Sequence, residues 1–300
     1  MVRFRAVRVK ALAKINLSLR VLHRRPDGYH ELRTVFQTIS LADEISLRFR
    51  AQARTTVCDE SSLRLEGNLA VRAAQAVLEA LGVCGEVRLN LRKRIPMGAG
   101  LGGGSSDAAA VLMALPFLLR RELPRETLAG LAAGLGSDVP YFLLGGTALG
   151  LSRGEELYPL PQLPSCYGLL LTPPIHVSTA TAYQALCRDL ELMSAQEYSL
   201  RSWGLSKQAT LEQWAPFCTN DFEPAIFARH PELGHLHEKM RRAGAVIARM
   251  TGSGSAIYGL FASREAARQA ARRFRETPHF LFRTINKPQY DRIWAKSFHA

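Results

Sequence analysis

A chain of 300 residues that is 47% hydrophobic and 22% charged can bury two domain cores without staples, which excludes a collagen, a coiled coil, a disulfide-held miniprotein and a disordered tail. A formal net charge of +13 points to an anionic partner, yet the basic residues stand in scattered pairs such as Arg24-Arg25, Arg120-Arg121 and Arg272-Arg273, which argues against nucleic acid. Seven of the 39 basic residues are lysines, so any Lys in an unusual setting stands out; compositional bias toward Arg is the alternative account of the charge.

Alternating Val7, Val9 and Leu12, then Ile15, Leu17, Leu19 and Val21, read as strands leading to a turn at Pro26-Asp27-Gly28. Val35 to Phe49 suggests another strand pair. Asn68 opens an amphipathic helix with Leu69, Ala73, Val77 and Leu81 on its apolar face, closed by Gly82. Val87, Leu89 and Leu91 alternate with polar residues in a strand that runs into a glycine-rich segment. Ala108 to Leu115 is helical in pattern until Pro116 bends or ends it, and Glu126 to Leu135 is a second helix stopped by Gly136. The Pro-rich stretch Pro159 to Pro174 predicts a boundary between an N-terminal domain (1–160) and a C-terminal one (161–300). Pro231 and Gly244 bracket a further helix, Val246 to Met250 and Ala256 to Phe261 read as strands around a second glycine turn, and a basic helix spans Arg264 to Phe274. From about residue 277 the tail carries no readable pattern. Strands and helices mix without strict alternation, so the expected class is α+β.

Five widely spaced cysteines (Cys58, Cys84, Cys166, Cys187, Cys218) include no C-x-x-C pair, so neither a disulfide framework nor a zinc site is expected, and a reducing, cytoplasmic setting is. Lys10, Lys14 and Arg20 interrupt the N-terminal apolar run, leaving no signal-peptide core. Prolines break the uncharged stretch Leu157 to Cys187, so no membrane span is expected. His176, His235 and His237 lack metal-ligand spacing.

The strongest local signal is Pro96-Met97-Gly98-Ala99-Gly100-Leu101-Gly102-Gly103-Gly104-Ser105-Ser106-Asp107, between a predicted strand and a predicted helix. Its glycines let the backbone approach a ligand, and a helix N-terminus adds free N–H donors, a combination suited to phosphate. No Gly-Lys-Ser/Thr follows, so it is not a Walker A loop. Met250-Thr251-Gly252-Ser253-Gly254-Ser255 is a hairpin loop or a second wall around the same phosphate chain. Asp138 sits after a helix and before an expected apolar strand, and Lys14 interrupts an apolar run where an ammonium needs an anionic partner. Asp27-Gly28-Tyr29-His30-Glu31 suits a plain hairpin tip or a lip for a flat ring.

Together these segments resemble the GHMP kinase superfamily. Ala13-Lys14-Ile15-Asn16-Leu17 with Arg25-Pro26-Asp27-Gly28-Tyr29-His30 is similar to the opening signature of the branch whose acceptor is a cytidine-diphosphate-linked methylerythritol. Pro96 to Ala110, Gly136-Ser137-Asp138-Val139-Pro140 with Gly145-Gly146-Thr147-Ala148, and Thr251 to Ala256 resemble its other motifs, although Ser152 stands where the pattern has Gly. The resemblance implies a ribosomal-S5-like N-terminal domain, a ferredoxin-like C-terminal domain and a site in the cleft between them. It implies transfer of the ATP γ-phosphoryl group, with Mg²⁺, to the acceptor's 2-hydroxyl in the non-mevalonate route to isoprenoids, by a monomer or homodimer. By this resemblance Asp138 accepts the hydroxyl proton and Lys14 polarises the hydroxyl. Pro96, Gly98, Gly100, Leu101, Gly102, Gly103, Gly104, Ser105, Ser106 and Asn68 hold ATP, with Ser106 also near Mg²⁺. Asn16, Tyr29, His30, Thr179, Tyr183, Gly252 and Ser253 hold the acceptor. Competing expectations are a superfamily kinase for homoserine, mevalonate or a sugar, an S5-like nucleic-acid binder, and an inactive ligand-binding relative.

Overall fold

The computed structural model describes residues 4–186 and 209–299; Cys187 lies outside them. Two sheets organise the chain. The first takes β1 (Arg5–Arg24), β2 (His30–Ala51), β3 (Thr56–Asp59), β4 (Gly85–Arg92), β5 (Thr147–Ser152) and β6 (Glu156–Pro159). Its strand order is β3-β4-β2-β5-β6, with β1 on β2. The expected strand pair from Val35 to Phe49 is one continuous strand instead. No turn residue interrupts it, and its two halves serve two partners on one edge: Leu32 to Gln37 pair with β5, and Glu44 to Ala51 pair with β4. On its other edge β1 runs antiparallel along nearly its full length, with register shifts at Leu12/Lys14, Asn16/Ser18 and Val21/His23. Such bulges re-aim side chains, and these bracket Lys14 and Asn16.

One face of this sheet carries α1 (Leu69–Ala80), α2 (Gly103–Leu119), α3 (Arg125–Leu135) and α4 (Val139–Leu144). Val9, Ile45, Leu47, Val77, Val111 and Leu115 meet there in one core. Helix α2 starts at Gly103, earlier than its apolar pattern, and runs through Pro116 to a left-handed Arg120. Burial on nearly every side from Ala108 to Leu119 outweighs the backbone bond that Pro116 removes in the last turn. The strand expected after Asp138 is the short helix α4, because Pro140 falls in a first helical turn, where its fixed φ fits and its missing N–H costs nothing.

The opposite face packs on a second, four-stranded antiparallel sheet of β7 (Tyr167–Leu171), β8 (Ile247–Met250), β9 (Ile257–Phe261) and β10 (His279–Arg283), ordered β10-β7-β9-β8. Ile15, Leu17, Val35 and Ile39 from the first sheet share a core with Leu170, Tyr258 and Leu260 from the second. Alternation in β1 is therefore lost to burial on both faces from Ala11 to Leu19. Helices α5 (Thr179–Leu186), α6 (Leu211–Trp214), α7 (Glu223–Arg229), α8 (Pro231–Arg242) and α9 (Arg264–Ala271) complete this half. The tail without a readable pattern forms β10 and then α10 (Lys287–His299), which returns to the first core. Tyr290 and Trp294 are buried there, and the Tyr290 hydroxyl donates to the Phe142 carbonyl. Gly145 is required beside them, since a Cβ would fall 2.5 Å from the Tyr290 ring.

Candidate active site

Strand β1 presents Lys14 and Asn16 two residues apart, hence on one face. Lys14 is buried, and its Nζ donates to Asn16 Oδ1 at 2.8 Å and lies 3.4 Å from Asp138 Oδ2. Asp138 occupies the cap position of α4 but makes no capping bond, so its carboxylate, 31% exposed, faces the open side. Spacing alone could not bring this pair together; the fold does.

Two tethers hold the glycine segment to β1: the Lys14 amide donates to the Leu101 carbonyl at 3.1 Å, and the Ser106 hydroxyl donates to the Leu12 carbonyl at 2.7 Å. Gly100 has φ +76, and a Cβ there would sit 2.2 Å from the Thr251 carbonyl oxygen. Both conditions demand glycine, and they also show that the two small-residue loops touch. The Asn16 amide donates to Thr251 Oγ1 at 3.1 Å, and the Gly252 amide donates to Asn16 Oδ1 at 3.0 Å. Helix α2 opens at Gly102, which has no side chain to cap it, so the first-turn N–H groups at Gly103, Gly104 and Ser105 have no side-chain cap and suit an anion.

Between the loops lies a cleft of about 280 Å³, lined by Lys14, Asn16, Asp138, Gly100, Gly252 and Ser253 among others. Thr179 and Tyr183 line it too, with Thr179 Oγ1 3.1 Å from Ser253 Oγ. His30 stacks on Tyr183 at 4.7 Å and 20°. Burial, with Arg24 nearby, lowers the His30 imidazole, and burial pushes the Tyr183 phenol up to about 12, so this pair is a neutral aromatic surface near pH 7.

Ser106 is buried against β1, and its hydroxyl donates to the Leu12 carbonyl. Tyr29 is 57% exposed at the hairpin tip, with the Arg153 guanidinium 4.1 Å from its ring, and is not among the described residues that line the cleft. Asn68 caps α1 as predicted, Oδ1 accepting from the Ala70 amide at 3.0 Å, and its Nδ2 donates to Asp59 at 2.8 Å. Pro96 and Gly98 lie on the far side of the loop, in a second cavity of about 270 Å³ with His176.

Sequence reasoning missed Thr34, Phe36 and Arg153 in the cleft wall. It also missed a buried cluster under the loop, where Lys93 Nζ pairs with Asp43 and, at 2.8 Å, with Asp107. Asp107 is pushed up to about 8 by burial and by the Asp43 carboxylate, against the pull of Lys93. The scarcity of lysine was the one available signal.

The comparisons with known proteins agree with this geometry. Residues 68–146 match the family model for the GHMP kinase N-terminal domain, and residues 196–279 match that for the GHMP kinase C-terminal domain. A protein of Solibacter usitatus named 4-diphosphocytidyl-2-C-methyl-D-erythritol kinase is 46% identical over 98% of this chain and 93% of its own length. One of the same name from Geobacillus kaustophilus is 39% identical over 84% and 87%. The chain belongs to the 4-diphosphocytidyl-2-C-methyl-D-erythritol kinase family. A crystal structure of a 4-(cytidine 5'-diphospho)-2C-methyl-D-erythritol kinase is 38% identical, covers 92% of this chain and 98% of its own, and superposes with a TM-score of 0.76. Like other members of the family, the chain is an ATP-dependent small-molecule kinase with the GHMP fold. Among the described residues no helix is long and apolar enough to cross a membrane.

Proposed function

We propose that the protein transfers the γ-phosphoryl group of ATP to the 2-hydroxyl of 4-diphosphocytidyl-2-C-methyl-D-erythritol, as a step of the non-mevalonate route to isoprenoids in the cytoplasm. The observation that carries this reading is the Lys14–Asp138 pair, 3.4 Å apart in a cleft bounded by two glycine loops, within a chain of this family.

The chemistry follows from what each group can supply. Phosphoryl transfer has a loose transition state, so the protein aligns the reactants and stabilises charge. The first-turn N–H groups of α2 take phosphate oxygens. Lys14, with Asn16 holding its ammonium, polarises the acceptor hydroxyl. Asp138 accepts the hydroxyl proton as the new O–P bond forms and the bond to the β–γ bridging oxygen breaks, releasing ADP. The stacked His30–Tyr183 surface, with Thr179 and Ser253 beside Tyr183 in the wall, takes the cytidine end.

Mg²⁺ fits this donor set as a phosphate-borne ion. Among the described residues no cluster of three His, Cys, Asp or Glu side chains could hold a metal, and Asp138 is the carboxylate in the cleft wall. Asp138, together with the substrate's phosphates, would hold the ion. When bound, the ion neutralises charge on the β- and γ-phosphates.

Structures of a homoserine kinase from Cytophaga hutchinsonii and of a mevalonate kinase, with TM-scores of 0.70 and 0.68 at 20% and 14% identity, share the fold alone. Purified protein incubated with Mg-ATP and the cytidine-diphosphate acceptor yields, on this reading, a product heavier by one phosphoryl group in mass spectrometry. No product beside a competent control enzyme overturns the reading.

A further inference from the structure

We propose that Arg153 determines acceptor specificity by binding the anionic diphosphate that links the acceptor's nucleoside to its polyol. This inference rests on the proposed acceptor. Two cations line the cleft among the described residues, Lys14 and Arg153. Lys14 is committed to Asn16 and Asp138, next to the reacting hydroxyl. Lys14 is placed beside the reacting hydroxyl, so Arg153 is the cation positioned to meet a diphosphate farther along the cleft.

Arg153 has the geometry for that task. It sits in the turn between β5 and β6, where one guanidinium nitrogen donates to Asp27 Oδ2 at 2.9 Å and the plane lies over the Tyr29 ring. Asp27 in turn accepts from the Tyr29 amide at 3.0 Å. These contacts fix the guanidinium between two hairpin tips and so reduce the ordering that binding requires. Arg153 Nε is buried yet has no hydrogen-bond partner. The side chain as a whole is 39% exposed, so the remaining donors are accessible. Arginine, with a planar fork of donors, matches a phosphate better than lysine does.

Calorimetric titration of the purified protein with cytidine and with cytidine diphosphate tests this. Wild-type protein binds the diphosphate more tightly than the nucleoside. In Arg153→Gln the affinity for cytidine diphosphate falls on the order of tenfold while that for cytidine changes less than about twofold, and Arg153→Lys recovers part of the loss. Steady-state kinetics of Arg153→Gln show a raised KM for the acceptor with the KM for ATP unchanged. An unchanged ratio of the two affinities overturns the proposal, as does an equal loss for both ligands, which marks Arg153 as a support for the cleft wall alone. Wild-type protein that binds neither ligand but phosphorylates another alcohol overturns the proposed acceptor itself.

Discussion

Lys14 and Lys93 lie against neighbouring residues of the same glycine loop, yet the proposed mechanism uses only one of them. A Cβ on Gly102 would fall 3.2 Å from Lys14 Cγ, and one on Gly103 would fall 3.2 Å from Lys93 Nζ. Lys14 is paired with a neutral amide and with one carboxylate that is 31% exposed to the cleft. Lys93 is held between two carboxylates at 0% and 2% exposure. Burial works against the charge on Lys93, but the two carboxylates outweigh it and raise its ammonium above the usual range. An ammonium with an open partner can exchange contacts with a substrate; one enclosed between two buried carboxyl groups cannot. What separates the lysine proposed for catalysis from the structural one is what remains open around it, not depth of burial.

The largest effect expected on the cleft side is that of Asp138→Asn. Removing the proton acceptor lowers kcat by about 10²–10⁴-fold, while ATP affinity measured by calorimetry stays within a few-fold. Near-normal turnover in this variant breaks the comparison at once. On the sealed side Lys93→Met removes the counter-charge of the buried Asp43–Asp107 cluster. Removing one partner from a buried ion pair costs about 3–5 kcal/mol, read as a lower urea midpoint. The folded fraction keeps a kcat far closer to wild type than Asp138→Asn does. A stable Lys93→Met protein with turnover abolished would reverse the roles assigned to the two lysines.

This contrast also shows what was legible in the sequence. Lys14 was conspicuous because it breaks an apolar run and starts a motif, and Asp138 because a motif surrounds it. Lys93 follows a strand with ordinary alternation and precedes Arg94, so it reads as an exposed charge until Asp43, fifty residues earlier on β2, arrives to accept from the Ile95 amide at 2.8 Å. Long-range pairing of this kind leaves no local pattern. For the same reason α10 was unreadable: Tyr290 and Trp294 are apolar toward a core formed by residues more than a hundred positions away. The caps and breakers acted locally and could be read, as at Asn68, Gly136 and Pro231. Where local signals failed, at Pro116 and after Asp138, tertiary burial or first-turn geometry decided the outcome.

A smaller effect separates the two clusters by pH. The Asp107 carboxyl is raised from 3.8 to about 8, chiefly by burial and the Asp43 charge. A carboxyl raised in the folded state holds its proton more tightly there than in the unfolded chain, so its contribution to stability is complete below the unfolded value and is lost as pH rises toward about 8. Thermal melts from about pH 5 to pH 8.5 therefore show a decline in Tm with rising pH that is shallower in Asp107→Asn. An identical slope in the two proteins removes Asp107 from the sealed cluster's pH response.

The smallest effect tests the loop's third neighbour, α1, where a helix cap and the proposed adenine contact use the two ends of one amide. Asn68 Oδ1 holds the Ala70 amide, and Nδ2 holds Asp59 in an exposed bond that water or a nucleotide base can replace. Leu69 Cδ1 lies 3.8 Å from where a Cβ on Gly104 would be, so the start of α1 adjoins the phosphate loop. Asn68→Ala removes both functions and costs about 1 kcal/mol of stability. Asn68→Ser restores the cap, because a serine hydroxyl can accept the same amide, but offers no Nδ2 donor. Stability measured by urea unfolding therefore returns to near wild type in the serine variant, while the KM for ATP stays several-fold higher in both. Recovery of both quantities would confine Asn68 to capping and leave adenine to be held by the loop backbone, with the amide of Asn68 no longer part of the nucleotide site.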